Sequence, residues 1–217
     1  MRAAGRAPNW VGGRQSIYRV LIAEALALIA VFAAISTLPA GMLTAHMLAH
    51  IVVMTLLAPV AALALLGFNK RRNRRLYAPL AAWLAPATLL QLALFSAMHA
   101  PLLISNAMHA PQLRPLLTLL LFAVALLFWM SVIASARSGR ASSIAALLLT
   151  GKVLCLLAAL MVFSDRVVFG HGILLPDQHA AGLAMLIACP LAYVGASVVI
   201  VAKWLSAMSQ PAQQTPA

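Results

Sequence analysis

The sequence predicts an all-α protein, a polytopic membrane bundle of about six transmembrane helices with both termini in the cytoplasm, and three observations lead to it. Hydrophobic residues make up 64% of the 217 positions and charged residues only 8%, against roughly half apolar usage in soluble domains. The apolar residues run in stretches of about 20, the length a helix needs to cross the hydrocarbon. The basic residues, which give a net charge of +12, stand in short blocks between those stretches, without interleaved aromatics. They read as topology signals and not as a nucleic-acid footprint.

Residues 1–16 form a basic cytoplasmic N-terminus, with Arg2, Arg6 and Arg14 followed by Arg19. The apolar run that comes next, to Leu38, is too long for the h-region of a signal peptide and lacks an A-x-A site, so a first helix is expected over 17–38. A loop at 39–41 is so short that the second span, 42–66, forms a tight antiparallel hairpin with the first. Lys70, Arg71, Arg72, Arg74 and Arg75 mark a cytoplasmic loop, and spans over 77–98 and 112–135 follow. Arg137 and Arg140 mark the next inner loop, before spans over 143–164 and 178–205; Lys203 lies at the inner end of the last. The outer loops contribute only Arg114 and Arg166, so the positive-inside alternation holds through the whole bundle, 17–205. The tail, 206–217, is rich in Gln, Pro and Ala and reads as disordered and cytoplasmic. Pro59, Pro86 and Pro190 fall inside spans and are expected to kink or loosen them.

The chain has six histidines, and this topology puts every one at the outer face. His46 and His50 open the second span, His99 and His109 lie in a loop with the repeat Met98-His99-Ala100-Pro101 and Met108-His109-Ala110-Pro111, His171 lies in the last outer loop, and His179 begins the last span. Met42, His46, His50 and Met54 follow at steps of four, so they share one helix face with a drift of about 40° per step. An imidazole pair at that spacing can share one metal ion, and neutral imidazole with thioether suits copper(I). The methionines have a second reading as apolar filler, and histidines near a membrane surface often bond only headgroups or water. A buried His50 is harder to explain that way, because a polar ring in lipid needs a partner. At the start of the last span stand Asp177, an N-cap candidate and a second-shell partner for a ligand histidine, then His179, Gly182 and Met185. Gly182 would admit a close neighbouring helix. The two cysteines, Cys155 and Cys189, lie inside spans without a CxxC spacing and default to small packing residues.

There is no HExxH, GxSxG or Gly-rich phosphate loop, and with only three acidic residues an acid/base site lacks its base. The expectation is a non-enzyme. Two charged residues inside spans, Glu24 in the first and Lys152 in the fifth, come to similar depth and are expected to pair as a structural ion pair.

His46-Met47-Leu48-Ala49-His50 opening a span, the loop from Met98 to Pro111, Phe128-Trp129, and Asp177-Gln178-His179-Ala180-Ala181-Gly182-Leu183-Ala184-Met185 resemble, in order and placement, the caa3-type cytochrome c oxidase assembly factors, the CtaG-like multi-span proteins. The family's further histidines at the start of span four are replaced near those places by Arg114 and Thr118, and the chain is shorter than the seven spans common in the family. The resemblance implies a copper-handling role in maturing the copper centre of a haem-copper oxidase. Its expected setting is the bacterial inner membrane, and its partners are a respiratory oxidase subunit, a periplasmic copper donor or both. The expected ligands of copper, as copper(I), are His46, His50, Met42, Met54 and His179, with Asp177 behind them. The alternatives are a haem-binding membrane cytochrome, with His46 or His50 and His179 as axial pair, and a copper permease.

Overall fold

The computed structural model describes residues 22, 26, 41–67, 74–100, 113–137, 140–169 and 172–208; within them there are helices and loops and no strand. The described helices are α1 (Met42–Val52), a π-helical segment (Val53–Leu57), α2 (Ala58–Gly67), α3 (Arg74–Ala82), α4 (Leu84–Met98), α5 (Leu113–Ser135), α6 (Arg140–Phe163) and α7 (Leu175–Met208). Among the described residues, four stretches are long and apolar enough to cross a membrane: Leu43–Leu66, Leu116–Ser135, Arg140–Phe163 and Leu175–Met208. Such segments make this a membrane protein. Of the expected first span only Ile22 and Leu26 are described, both helical and exposed; Glu24 lies outside the described residues.

Two of the prolines reshape their spans, each by the donor it lacks. In the second span the chain runs through α1 and α2 without leaving the helical path, but the turn between them widens to i→i+5 bonding, with Ala58 N–H donating to the Val53 carbonyl. In that register the carbonyl five residues before Pro59 is that of Met54, and proline has no N–H to offer it. Trp129 of α5 fills the gap, its indole Nε1–H donating to the Met54 carbonyl at 2.8 Å. The expected single span over 77–98 is instead two helices, broken at Trp83. Pro86 cannot donate to the carbonyl four residues back, at Ala82, and the helix ends there. α4 alone is shorter than the other candidate spans. Pro190, by contrast, sits within an unbroken α7. That helix starts at Leu175 and runs to Met208, so the first residues of the expected disordered tail are helical.

α7 packs along α6 and against α1, while α5 supports α2, α3 and α4 from the other side. The α6–α7 seam closes at two glycines. A Cβ on Gly182 would stand 2.8 Å from Val162 and 2.9 Å from the Met161 Cβ, and one on Gly151 would stand 3.3 Å from the Tyr193 Cβ. The centre is a layer of Leu43, Met47, Phe128, Leu154, Met161, Met185 and Tyr193, nearly inaccessible, while Leu116, Leu119, Leu156, Leu160 and Phe163 face outward as an apolar belt suited to lipid.

Candidate functional site

Two sets of polar groups meet where α1 and α7 begin. The first is Asp177-Gln178-His179, whose side chains leave α7 about 100° apart and so reach different neighbours. The Asp177 carboxylate does not cap its own helix. It accepts from the Leu43 and Thr44 backbone amides, both at 3.0 Å, and from the Thr44 hydroxyl, capping the N-terminus of α1 in trans. The carboxylate lies so close that a Cβ on Gly41 would be 2.1 Å from its oxygen, which is why glycine stands there. Gln178 is fully buried and ties the loop after α6: its Oε1 accepts from Val168 N–H at 2.7 Å and its Nε2 donates to the Met161 and Arg166 carbonyls at 3.2 Å. His179 Nε2 lies 3.2 Å from the Ser164 carbonyl.

The second set is a row of imidazoles. The rings of His46 and His50 are 4.2 Å apart, and His99, just past the end of α4, stands edge-on 6.2 Å from His50. His99 Nδ1 is 2.7 Å from the Phe95 carbonyl, the place of an N–H donor, which leaves the Nε2 lone pair free; that atom is buried with no partner among the described residues. Burial lowers the His99 imidazole to about 4, against the raising effect of its bond to Phe95, so it is neutral at pH 7. His50 is 2% exposed, and both of its ring nitrogens are buried without a partner among the described residues. A buried polar ring with no hydrogen bond costs about 1–3 kcal/mol, a cost the fold bears for no visible structural return.

Directly below, His50 borders a cavity of about 10 Å³, room for one water or one small ion, shared with Met47, Met54, Met185, Cys189 and Tyr193. Its floor is locked. Tyr193 stacks on Trp129 at 5.6 Å, and its hydroxyl accepts from Gln91 Nε2 at 2.8 Å.

Of the ligands expected from sequence, the structure brings together His46, His50 and Met54. Met42 opens α1, but its side chain lies outside the described residues. His179 is in neither the imidazole row nor the cavity wall, and Asp177 holds the end of α1. Lys152 is exposed on α6, with its expected partner Glu24 outside the described residues. Sequence reasoning placed His99 at the same face without assigning it a role, passed over Met47 and Met185 as ligands, and named Cys189, with Cys155, only as a soft mid-depth candidate for the permease alternative. A signal existed for Met185 and Cys189, because Asp177, Ala181, Met185, Cys189 and Tyr193 also follow at steps of four and so form one face of α7, whose top residue touches α1.

With this geometry established, the comparison with known families is decisive, for the model of the cytochrome c oxidase caa3 assembly factor family matches residues 1–207. The chain belongs to that family. Neither a curated protein nor a solved structure matches it. Membership in this assembly-factor family ties the chain to the biogenesis of a cytochrome oxidase. As to metal, no three His, Cys, Asp or Glu groups converge on one point among the described residues, so an ion held here would draw part of its shell from thioethers. The nitrogens of His50, with Met47 and Met54 beside it, and the Nε2 of His99 fit a soft monovalent ion in donor type; they do not fit calcium or magnesium, which require oxygen.

Proposed function

We propose that this protein is a non-enzymatic assembly factor of the bacterial inner membrane that holds copper(I) as cargo and delivers it to the copper centre of a haem-copper oxidase. His50 receives the ion with one neighbouring imidazole at a time, His46 on its own helix or His99 across from it, and with the Met54 thioether beside it. The observation that carries this reading is His50, buried at the centre of the imidazole row with two unpartnered nitrogens. An imidazole with no hydrogen-bond partner among the described residues has a ring nitrogen to offer a metal. A site for an ion, and not for a macrocycle, is favoured by the size of the cavity, about 10 Å³. The positive-inside pattern puts the imidazole row at the outer face, where an oxidase copper subunit or a periplasmic copper donor can reach it.

Copper(I) titration of the purified full-length protein under reducing conditions tests the reading. Stoichiometric binding is expected, with its loss in the His46→Ala/His50→Ala double variant and a matching fall in oxidase activity, while the variant stays in the membrane. Unchanged stoichiometry in the double variant returns both residues to packing. Orientation has its own test: a cysteine placed at Ser105 should react with an impermeant thiol reagent in whole cells and one at Arg72 should not.

A further inference from the structure

The cavity under His50 has a composition that packing does not require. Three thioethers (Met47, Met54 and Met185), the Cys189 thiol and the His50 ring, whose nitrogens have no partner among the described residues, line one ion-sized space together with Ile51, Thr55, Phe95 and Tyr193. These groups come from two parallel helices. Leu43 and Asp177 stand level, joined by a hydrogen bond, so depth can be counted from them along each axis. At 1.5 Å per residue, His50 lies about 10 Å down, Met185 about 12 Å, Met54 about 16 Å and Cys189 about 18 Å. The thiol is therefore near the middle of a hydrocarbon layer about 30 Å thick, well below His46, which lies about 4–5 Å down. Donor softness increases along this line, from the His50 imidazole through the thioethers to the thiol, and His50 belongs both to the imidazole row and to the cavity wall. The π-helical turn that carries Met54 is fixed by Trp129, and π turns of this kind recur where a side chain is aimed at a site.

Resting on the copper(I) reading above, we propose that the ion received by the imidazole row is retained one station deeper, bound by Cys189 Sγ and His50, with Met54 and Met185 completing a soft shell. On binding, the S–H bond of Cys189 breaks and a copper–sulfur bond forms. The proton leaves to water at the outer end, and copper stays in the +1 state throughout. Cys155, half-exposed and not on the cavity wall, takes no part. The arrangement explains how an assembly factor keeps a labile ion from water until a client docks. The imidazoles exchange the ion with the outside, and the thiolate holds it.

The test uses the full-length protein in detergent with a non-thiol reductant, copper(I) alone as probe, and a chromophoric chelator as competitor. At about pH 8, where exposed imidazoles are already neutral, one proton released per ion is expected, together with a copper coordination shell that contains both sulfur and nitrogen. Cys189→Ala should weaken binding by more than about tenfold, the least that loss of an outer-shell partner costs, and should abolish proton release. Cys155→Ala should match the unaltered protein. Copper(I) bound with no proton release, or with a nitrogen-only shell, overturns this inference and leaves the assembly-factor reading intact. An unaltered protein that binds no copper(I) overturns both. Because proton release and the coordination shell are read on the unaltered protein, the inference is decided even if Cys189→Ala does not fold.

Discussion

The start of α7 and the imidazole row lie at the same end of the bundle and are built from similar residues, yet they differ in hydrogen bonding. Asp177 and Gln178 have their polar side-chain atoms partnered across helix boundaries, and His179 has a carbonyl within reach of Nε2. His50 and His99 retain buried nitrogens without partners among the described residues. Satisfied groups stabilise the fold, whereas orphaned ones cost stability and are kept where a ligand completes them. The difference separates a latch from the proposed binding site among side chains that composition alone would group together.

The largest expected effect is on the latch. Asp177→Ala strips the Leu43 and Thr44 amides of their acceptor, at about 1–3 kcal/mol each when buried, and leaves the Thr44 hydroxyl only the Asp177 backbone carbonyl, so a loss on the order of 3 kcal/mol is expected in thermal unfolding in detergent. The fraction that still folds should keep its copper(I) affinity. A stable Asp177→Ala protein that no longer binds copper(I) would break the comparison and move Asp177 into the pocket. Next comes the floor of the cavity. Trp129→Phe leaves the Met54 carbonyl without a donor and should cost about 2 kcal/mol. Adding Pro59→Ala restores a backbone N–H to that turn and should recover part of the loss, whereas strictly additive effects in the double-mutant cycle would show that the indole acts only by packing.

A smaller change sharpens the boundary between the two regions. His179→Ala removes one hydrogen bond and should cost about 1 kcal/mol, with copper(I) affinity unchanged if His179 is part of the latch. A drop of tenfold or more would instead make it the third-helix ligand that the sequence suggested. The smallest loss of stability belongs to His50→Leu. Replacing an unsatisfied buried ring by an apolar side chain should leave stability unchanged or raise it, by up to the ring's own cost of about 1–3 kcal/mol, while abolishing copper(I) retention. A large destabilisation would mean that His50 has a structural partner, and the contrast with Asp177 would disappear.

Much of the architecture was legible because lipid imposes local rules. The spans ending near Ser135 and Phe163 match the apolar runs to within a few residues, since each backbone polar group must be satisfied within its own helix. The third span was expected to kink or loosen at Pro86, and the structure divides it at Trp83 into α3 and α4. Helical bonds still cross that point, with Trp83 N–H donating to the Pro79 carbonyl at 3.1 Å and Ala87 N–H to the Trp83 carbonyl at 2.9 Å. In the site, the four-step pattern on α1 was visible, and the equivalent pattern on α7 was overlooked because alanine and tyrosine occupy it alongside the sulfur residues.

The sequence by itself determined the solvent, the helical state and the face of α1 on which imidazole and thioether line up, because transfer energy and the 3.6-residue turn depend on residues close in the chain. Only the tertiary structure decided which polar groups are satisfied. Asp177 meets Leu43 and Thr44 from 134 and 133 positions away, Trp129 reaches Met54 across 75, and Gln91 reaches Tyr193 across 102. A hydrogen bond depends on a pair of groups and the distance between them. Whether His50 ends with or without a partner is therefore fixed when α1 packs against α7 and leaves its nitrogens buried at a small cavity without a donor or acceptor among the described residues.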